Sequence, residues 1–327
     1  MPRGRRLLVL LVVCAGALAA GLLVGPSFDV DRRMIELRLP RVALAAIVGA
    51  GLSTTGAVLQ ALSGNPLADP FVIGASSGAA VGVTVARWLG LPFTSPLLLL
   101  FAVAGAYAAI ALVLWIARAG ARTPVQTLLL AGVTVSTLGT AVVLLYYSLR
   151  VEDATKTMFF LMGSLDEGDW RFIALAGACV AASTLVAQLC ARALDAFAMG
   201  EETARHLGVD VERFKVGFCL LAAALVGVVV AVAGLIGFVG LIVPHVARRL
   251  VGSDHRRLLP ACVLGGATFL ALADLIARTA APPQQLSLGA ITALCGGPFF
   301  LHLLRRRARE RDALSRSPGP DAPERRP

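Results

Sequence analysis

An all-α membrane fold of about ten transmembrane helices follows from three features of the sequence. The chain is 57% hydrophobic and 15% charged, with a mean hydropathy of +0.79; a soluble domain carries about 25% charged residues. Its apolar runs are long and do not alternate, which suits helices that satisfy their own backbone and excludes the dyad pattern of a β-barrel. A span needs ~20 apolar residues, and 327 residues leave room for about ten of them between polar joints. Trp88, Trp115 and Trp170 fall at predicted span ends, where aromatic belts form.

The first run, Leu7–Val24, follows Arg3, Arg5 and Arg6. Small residues from Ala15 to Ala20 would permit cleavage of a signal peptide, but the run is long enough to span, and it reads as a retained first helix. Further runs cover about 42–62, 70–90, 97–117, 124–147, 171–191, 216–236, 239–251, 258–277 and 286–304. Val216–Ala247 holds no Asp, Glu, Lys or Arg. As one helix it would reach about 48 Å, beyond a ~30 Å hydrocarbon core, so it must turn. Gly234, Gly237, Gly240 and Pro244 mark where. The stretch 64–82, GNPLADPFVIGASSGAAVG, is also short and broken, by Pro66 and Pro70. One interrupted segment in each half points to inverted five-helix repeats around a central pathway. Its walls would be small and weakly polar: Ser76, Ser77, Gly78, Thr134, Ser136, Thr137 and Thr140.

Ten spans put both ends on one side. With that side inward, the inner segments hold 21 of the 30 Lys and Arg residues, so both termini are expected in the cytoplasm. Residues 1–306 read as a single transmembrane domain. The Arg-, Pro- and Ser-rich tail, 307–327, reads as a disordered basic cytoplasmic segment.

Several function classes fall away. The net charge of +10 is spread over span ends and the tail, not over one soluble face, which argues against nucleic acid. The six cysteines lie in apolar runs without metal or redox spacing and read as packing residues. There is no GxxxxGK[ST] phosphate loop. No nucleophile, metal or acid–base constellation appears, so no catalytic residue and no metal ligand is assigned. A proton- or sodium-coupled carrier would need buried carboxylates, and only Asp274 qualifies.

The candidate sites remain. The polar stretch 192–215 separates two uncharged runs and reads as two short helices, with start signals at Asp195 and Glu201–Glu202 and breakers at Gly200 and Gly208. It is either a solvated connector or a docking surface, with Glu201, Glu202, Arg205 and Arg213 as its charged contacts. Asn65, Pro66 and Leu67 form a plain Asn-Pro turn or a gate at the inner end of the second span. Thr123–Gln126 is a second gate candidate. Gln60, Gln188 and Asp274 are polar groups in or near spans, and Asp274 lies one helical turn from Arg278, as an ion pair would. His245 could ligate haem iron or simply pack. Arg38, Arg41 and Arg278 fall on the outer face, against the charge bias, and either snorkel or pair with Asp274 or Glu36.

RLPR (38–41), GAVLQ (56–60), NPLADPFVIGASSGAAVG (65–82), MGEETARHLGV (199–209), GLIGFVGLIVPHVARRLVG (234–252), DHRRLLP (254–260), ADLIART (273–279) and LGAITALCGGPFFLHLLRR (288–306) together resemble the iron-siderophore, haem and cobalamin permeases of ABC importers. Gly64, Leu235 and Ser287 depart from the family pattern. The resemblance implies a type II importer permease fold in a bacterial inner membrane. It implies a second permease copy or close homologue, two cytoplasmic ATPase subunits and a periplasmic or lipid-anchored binding protein. It implies ATP and Mg²⁺ on the ATPase and no cofactor on this chain. It also implies roles: ATPase coupling for Gly200, Glu201, Glu202, Arg205 and Gly208; a cytoplasmic gate for Asn65 and Leu67; and binding-protein docking for Arg38, Arg41 and Arg278, whose planar forks suit carboxylates. Iron(III)-siderophore is the first substrate expectation, with cobalamin or haem behind it.

Overall fold

A computed structural model describes residues 3–25, 32–71, 73–93, 95–118, 123–149, 162–165, 169–282 and 284–316. Among them are twelve helices and no strand: α1 (Arg3–Leu23), α2 (Arg32–Ser63), α3 (Ala75–Trp88), α4 (Pro96–Ala117), α5 (Val125–Leu149), α6 (Trp170–Leu189), α7 (Ala191–Ala198), α8 (Glu201–His206), α9 (Val211–Ala233), α10 (Val239–Val251), α11 (His255–Thr279) and α12 (Leu288–Arg316). Every predicted run is a helix. Seven of them, α1, α2, α4, α5, α6, α9 and α11, are long and apolar enough to cross a membrane.

The two interrupted segments are the short helices. α3 has 14 residues and α10 has 13, about 20 Å each, less than the ~30 Å core. The run predicted from residue 70 becomes helical only at Ala75. The Asp69 carboxylate accepts the Phe71 N–H at 2.9 Å, which holds a turn in place of a helix start, and Gly74 then takes a left-handed φ of 89°. The second break lies at 234–238, between Gly234 (φ 70°) and Phe238 (φ 67°). Gly240 and Pro244, predicted as part of that turn, sit inside α10 instead. Gly56 of α2 makes the close approach possible, since a Cβ on it would overlap the Gly240 backbone, and a Cβ on Gly240 would lie 2.9 Å from the Leu52 carbonyl oxygen.

α2 and α9 are the central helices, with 83% and 72% of their apolar windows buried, against 17% for the peripheral α1. α2 packs most extensively on α11. Gly49 and Gly266 let the two backbones meet, and Ser53 Oγ donates across to the Cys262 carbonyl at 2.7 Å. Small residues and interhelical hydroxyl bonds are what hold helices together where apolar burial does not discriminate protein from lipid.

Polar contacts tie the helix ends together at the two ends of the bundle. At one end, Arg6 donates to the Leu250 carbonyl (2.6 Å), Asp195 meets His255, and Lys215 meets Thr123. At the other, Arg41 meets Asp274 and Gln285, and Ser287 Oγ donates to the Met162 carbonyl (2.6 Å). α12 runs to Arg316, into the stretch 307–327 expected to be disordered. The rest of the tail lies outside the described residues.

Candidate coupling surface and gate

The insert between α6 and α9 folds as the two predicted short helices. α7 buries Ala191, Leu194 and Phe197, and the Phe197 ring packs edge-on against Phe218 of α9 with centroids 6.2 Å apart. Gly200 (φ 111°) reverses the chain into α8, and Gly208 (φ 81°) ends the insert. α8 carries Glu201 and Glu202 in its first turn and Arg205 and His206 in its last, which complements the helix dipole. Glu202 and Arg205 are exposed. Met199 and Leu207 flank them, each 61% exposed. Neither apolar side chain stands out in the sequence. Exposed apolar groups ringed by opposite charges have the composition of a docking patch.

The insert is pinned at two places. Asp195 Oδ1 accepts the backbone N–H of His255 at 2.9 Å and lies 2.6 Å from its Nδ1, which ties α7 to the start of α11. Lys215, in the first turns of α9, is 1% exposed; its Nζ donates to the Thr123 carbonyl (2.7 Å) and pairs with Glu201 (2.9 Å) and Glu212 (3.5 Å). Glu201, expected to face a partner, therefore has an internal one. Arg213 pairs with Asp210 on the surface at 3.0 Å. Neither His255 nor Lys215 stands out in the sequence, because Asp195 lies 60 residues from the first and Thr123 lies 92 from the second.

The Asn65 turn is real: its Oδ1 accepts the Leu67 N–H (3.0 Å), and its carbonyl accepts the Ala68 N–H (3.0 Å). Leu67 projects from it onto Leu241, Ile242 and Leu303. Buried Gln60 latches this turn to α10. Its Nε2 donates to the carbonyls of Gly240 (3.0 Å) and Ala68 (3.4 Å), while its Oε1 accepts from Arg248. Leu67 also lines an apolar groove of about 610 Å³ with Asp69, Phe71, Leu235, Phe238, Leu241, Ser287 and Phe300. Phe71 and Leu235 are shared with a smaller recess of about 120 Å³ that holds Ser77, Ser136 and Thr140. These three are the expected wall residues that do line it. Gly78 instead lets α3 approach the backbone of Gly105 in α4, and Ser76 is buried. Thr134 and Thr137 are exposed, with hydroxyls turned to the Leu130 and Val133 carbonyls of their own helix. The His245 ring meets that of Phe299 edge-on, with centroids 5.6 Å apart.

At the opposite end, Asp274 is 1% exposed and held by two guanidiniums: Arg41 Nε at 2.7 Å from Oδ1 and Arg278 Nε at 3.0 Å from Oδ2. Arg41 also donates to Gln285 (2.7 Å). Arg278 donates to the Gly21 carbonyl (3.0 Å), and Arg38 donates to those of Leu22 (3.1 Å) and Leu23 (3.2 Å). Arg38 and Arg278 are thus buried against the end of α1. Arg41 reaches closest to the surface.

Residues 6–306 match the FecCD transport family. The chain belongs to that family. Among its relatives, the hemin transport system permease protein HmuU of Yersinia pestis is 40% identical over 285 residues, 85% of this chain and 84% of that one. The vitamin B12 import system permease protein BtuC of Escherichia coli is 38% identical over 312 residues, 93% of each. The cobalamin import permease BtuC of Halobacterium salinarum is 44% identical over 276 residues, 83% of this chain and 73% of that one. A solved metal-chelate type ABC transporter in an inward-facing conformation superposes with a TM-score of 0.84 at 30% identity, over 93% of this chain and 99% of that one. The all-α fold with two interrupted segments is therefore a FecCD fold. The insert, the Asn65 turn and the groove all lie within its matched span.

Proposed function

We propose that this chain is the membrane permease subunit of an ABC importer that carries a bulky metal chelate into the cytoplasm. It would work as a pair of permease copies on two ATPase subunits, supplied by a substrate-binding protein outside. The observation that carries this reading is the α7–α8 insert: a rigid element, pinned to α9 and α11, that presents Met199, Glu202, Arg205 and Leu207 at one end of the bundle. The Lys/Arg bias supports that end, and both termini, as cytoplasmic. The groove past Leu67 is a candidate pathway, with the Asn65–Leu67 turn as its inner gate. Arg41 is the candidate contact for acidic groups of the binding protein. Iron(III)-siderophore is one substrate reading. The names of the relatives, hemin and vitamin B12 permeases, favour haem and cobalamin equally.

Because Glu201 is engaged by Lys215, the exposed residues give the cleaner test. Met199→Asp combined with Glu202→Arg is expected to lower co-purification of the ATPase about tenfold or more, with insertion and thermal stability unchanged. Undiminished co-purification would remove the insert from the docking surface.

A further inference from the structure

We propose that Lys215 is the positioning residue that transmits movement of α8 to the polypeptide entering α5. This rests on the reading of α7–α8 as the ATPase docking surface. A buried ammonium is tolerated only when its donors are engaged, and Lys215, 1% exposed, has three partners on separate segments. Glu201 belongs to α8, Glu212 to the first turn of α9, and the Thr123 carbonyl to the segment before α5. Thr123 is gripped on both sides of its backbone, since its N–H donates to Glu212 at 3.4 Å while its carbonyl accepts from Lys215 at 2.7 Å.

These bonds make the start of α8, the start of α9 and residue 123 one ionic unit. Glu201 cannot shift alone without leaving a buried cation short of a partner, so displacement of α8 draws Thr123 with it. Pro124 and then α5 follow directly, and α5 supplies Ser136 and Thr140 to the wall of the recess. A force applied at the docking helix thus reaches the pathway wall through one ion pair, one hydrogen bond and the backbone of α5. Asp195–His255 anchors the other helix of the insert to α11 and leaves α8 as the lever.

The test uses the full complex of permease, ATPase and binding protein in nanodiscs. Spin labels at the exposed position 126, one on each permease copy, report their separation with and without ATP–vanadate trapping. The wild-type pair is expected to change separation on trapping. Lys215→Met is expected to keep the ATPase bound and lose the change. The exchange Glu201→Lys with Lys215→Glu, which restores opposite charges at the same place, is expected to recover it. If Lys215→Met keeps the wild-type change, or loses the ATPase altogether, the inference is wrong. Should that variant not insert, the exchange decides: a recovered change supports the inference, and its absence overturns it. A wild-type chain that recruits no ATPase overturns the proposed function, and this inference with it.

Discussion

Asp274→Ala is expected to destabilise the outer end of the bundle by about 3–5 kcal/mol, the cost of stripping the counter-charge from buried guanidiniums. Both carboxylate oxygens are engaged, one by Arg41 and one by Arg278. Arg278 and Arg38 in turn hold the last carbonyls of α1, so α1 should loosen together with the ion cluster. A denaturation titration in mixed micelles would show the loss, and limited proteolysis after Leu23 would show the loosening. Asp274→Asn should fall between wild type and alanine, since it keeps an acceptor and loses the charge. An unchanged titration would mean that the cluster contributes no net stability. The same geometry argues against an ion-coupled carrier. A carboxylate clamped by two arginines serves as a strut.

Gly56→Val should be the most damaging single substitution in the central packing. A Cβ at this position meets the backbone of Gly240, which cannot rotate away as a side chain could. Overpacking at such a contact costs about 3 kcal/mol or more. It would also push α10 off Gln60, whose amide holds the Gly240 carbonyl at 3.0 Å. The expected result is little monodisperse protein after extraction, with Gly56→Ala already impaired. Gly217→Ala is the control: nothing lies near its Cβ position, and it is helical. It should be neutral or stabilising by up to about 1 kcal/mol.

The helices and the two interruptions were legible in the sequence because span length and glycine–proline punctuation are local signals. The five-residue error at the start of α3 came from a side-chain turn at Asp69 and the positive φ of Gly74, which apolar runs do not encode. The candidate site was legible only as a set of places. Glu201 reads as a surface charge, yet it faces Lys215. Lys215 reads as the ordinary basic end of a span, yet it is bound to Thr123, 92 residues away. Asp195 and His255 are 60 residues apart. One sequence without relatives carries no trace of such pairings. Asp274 and Arg278 were readable as a pair because one helical turn separates them. Arg41, which completes the cluster, comes from 233 residues earlier. The Arg-rich stretch after residue 306 is by composition as compatible with a continuing helix as with disorder, and α12 continues into it as far as Arg316.

The most direct test of the account is uptake into proteoliposomes holding this permease with its ATPase and binding protein. Labelled haem, cyanocobalamin and a ferric siderophore would be offered in turn on the binding-protein side. The account predicts accumulation of at least one of them that requires ATP on the opposite side, stops when the ATPase subunits are omitted, and is indifferent to a protonophore. Accumulation that proceeds without the ATPase and collapses with the proton or sodium gradient would contradict it.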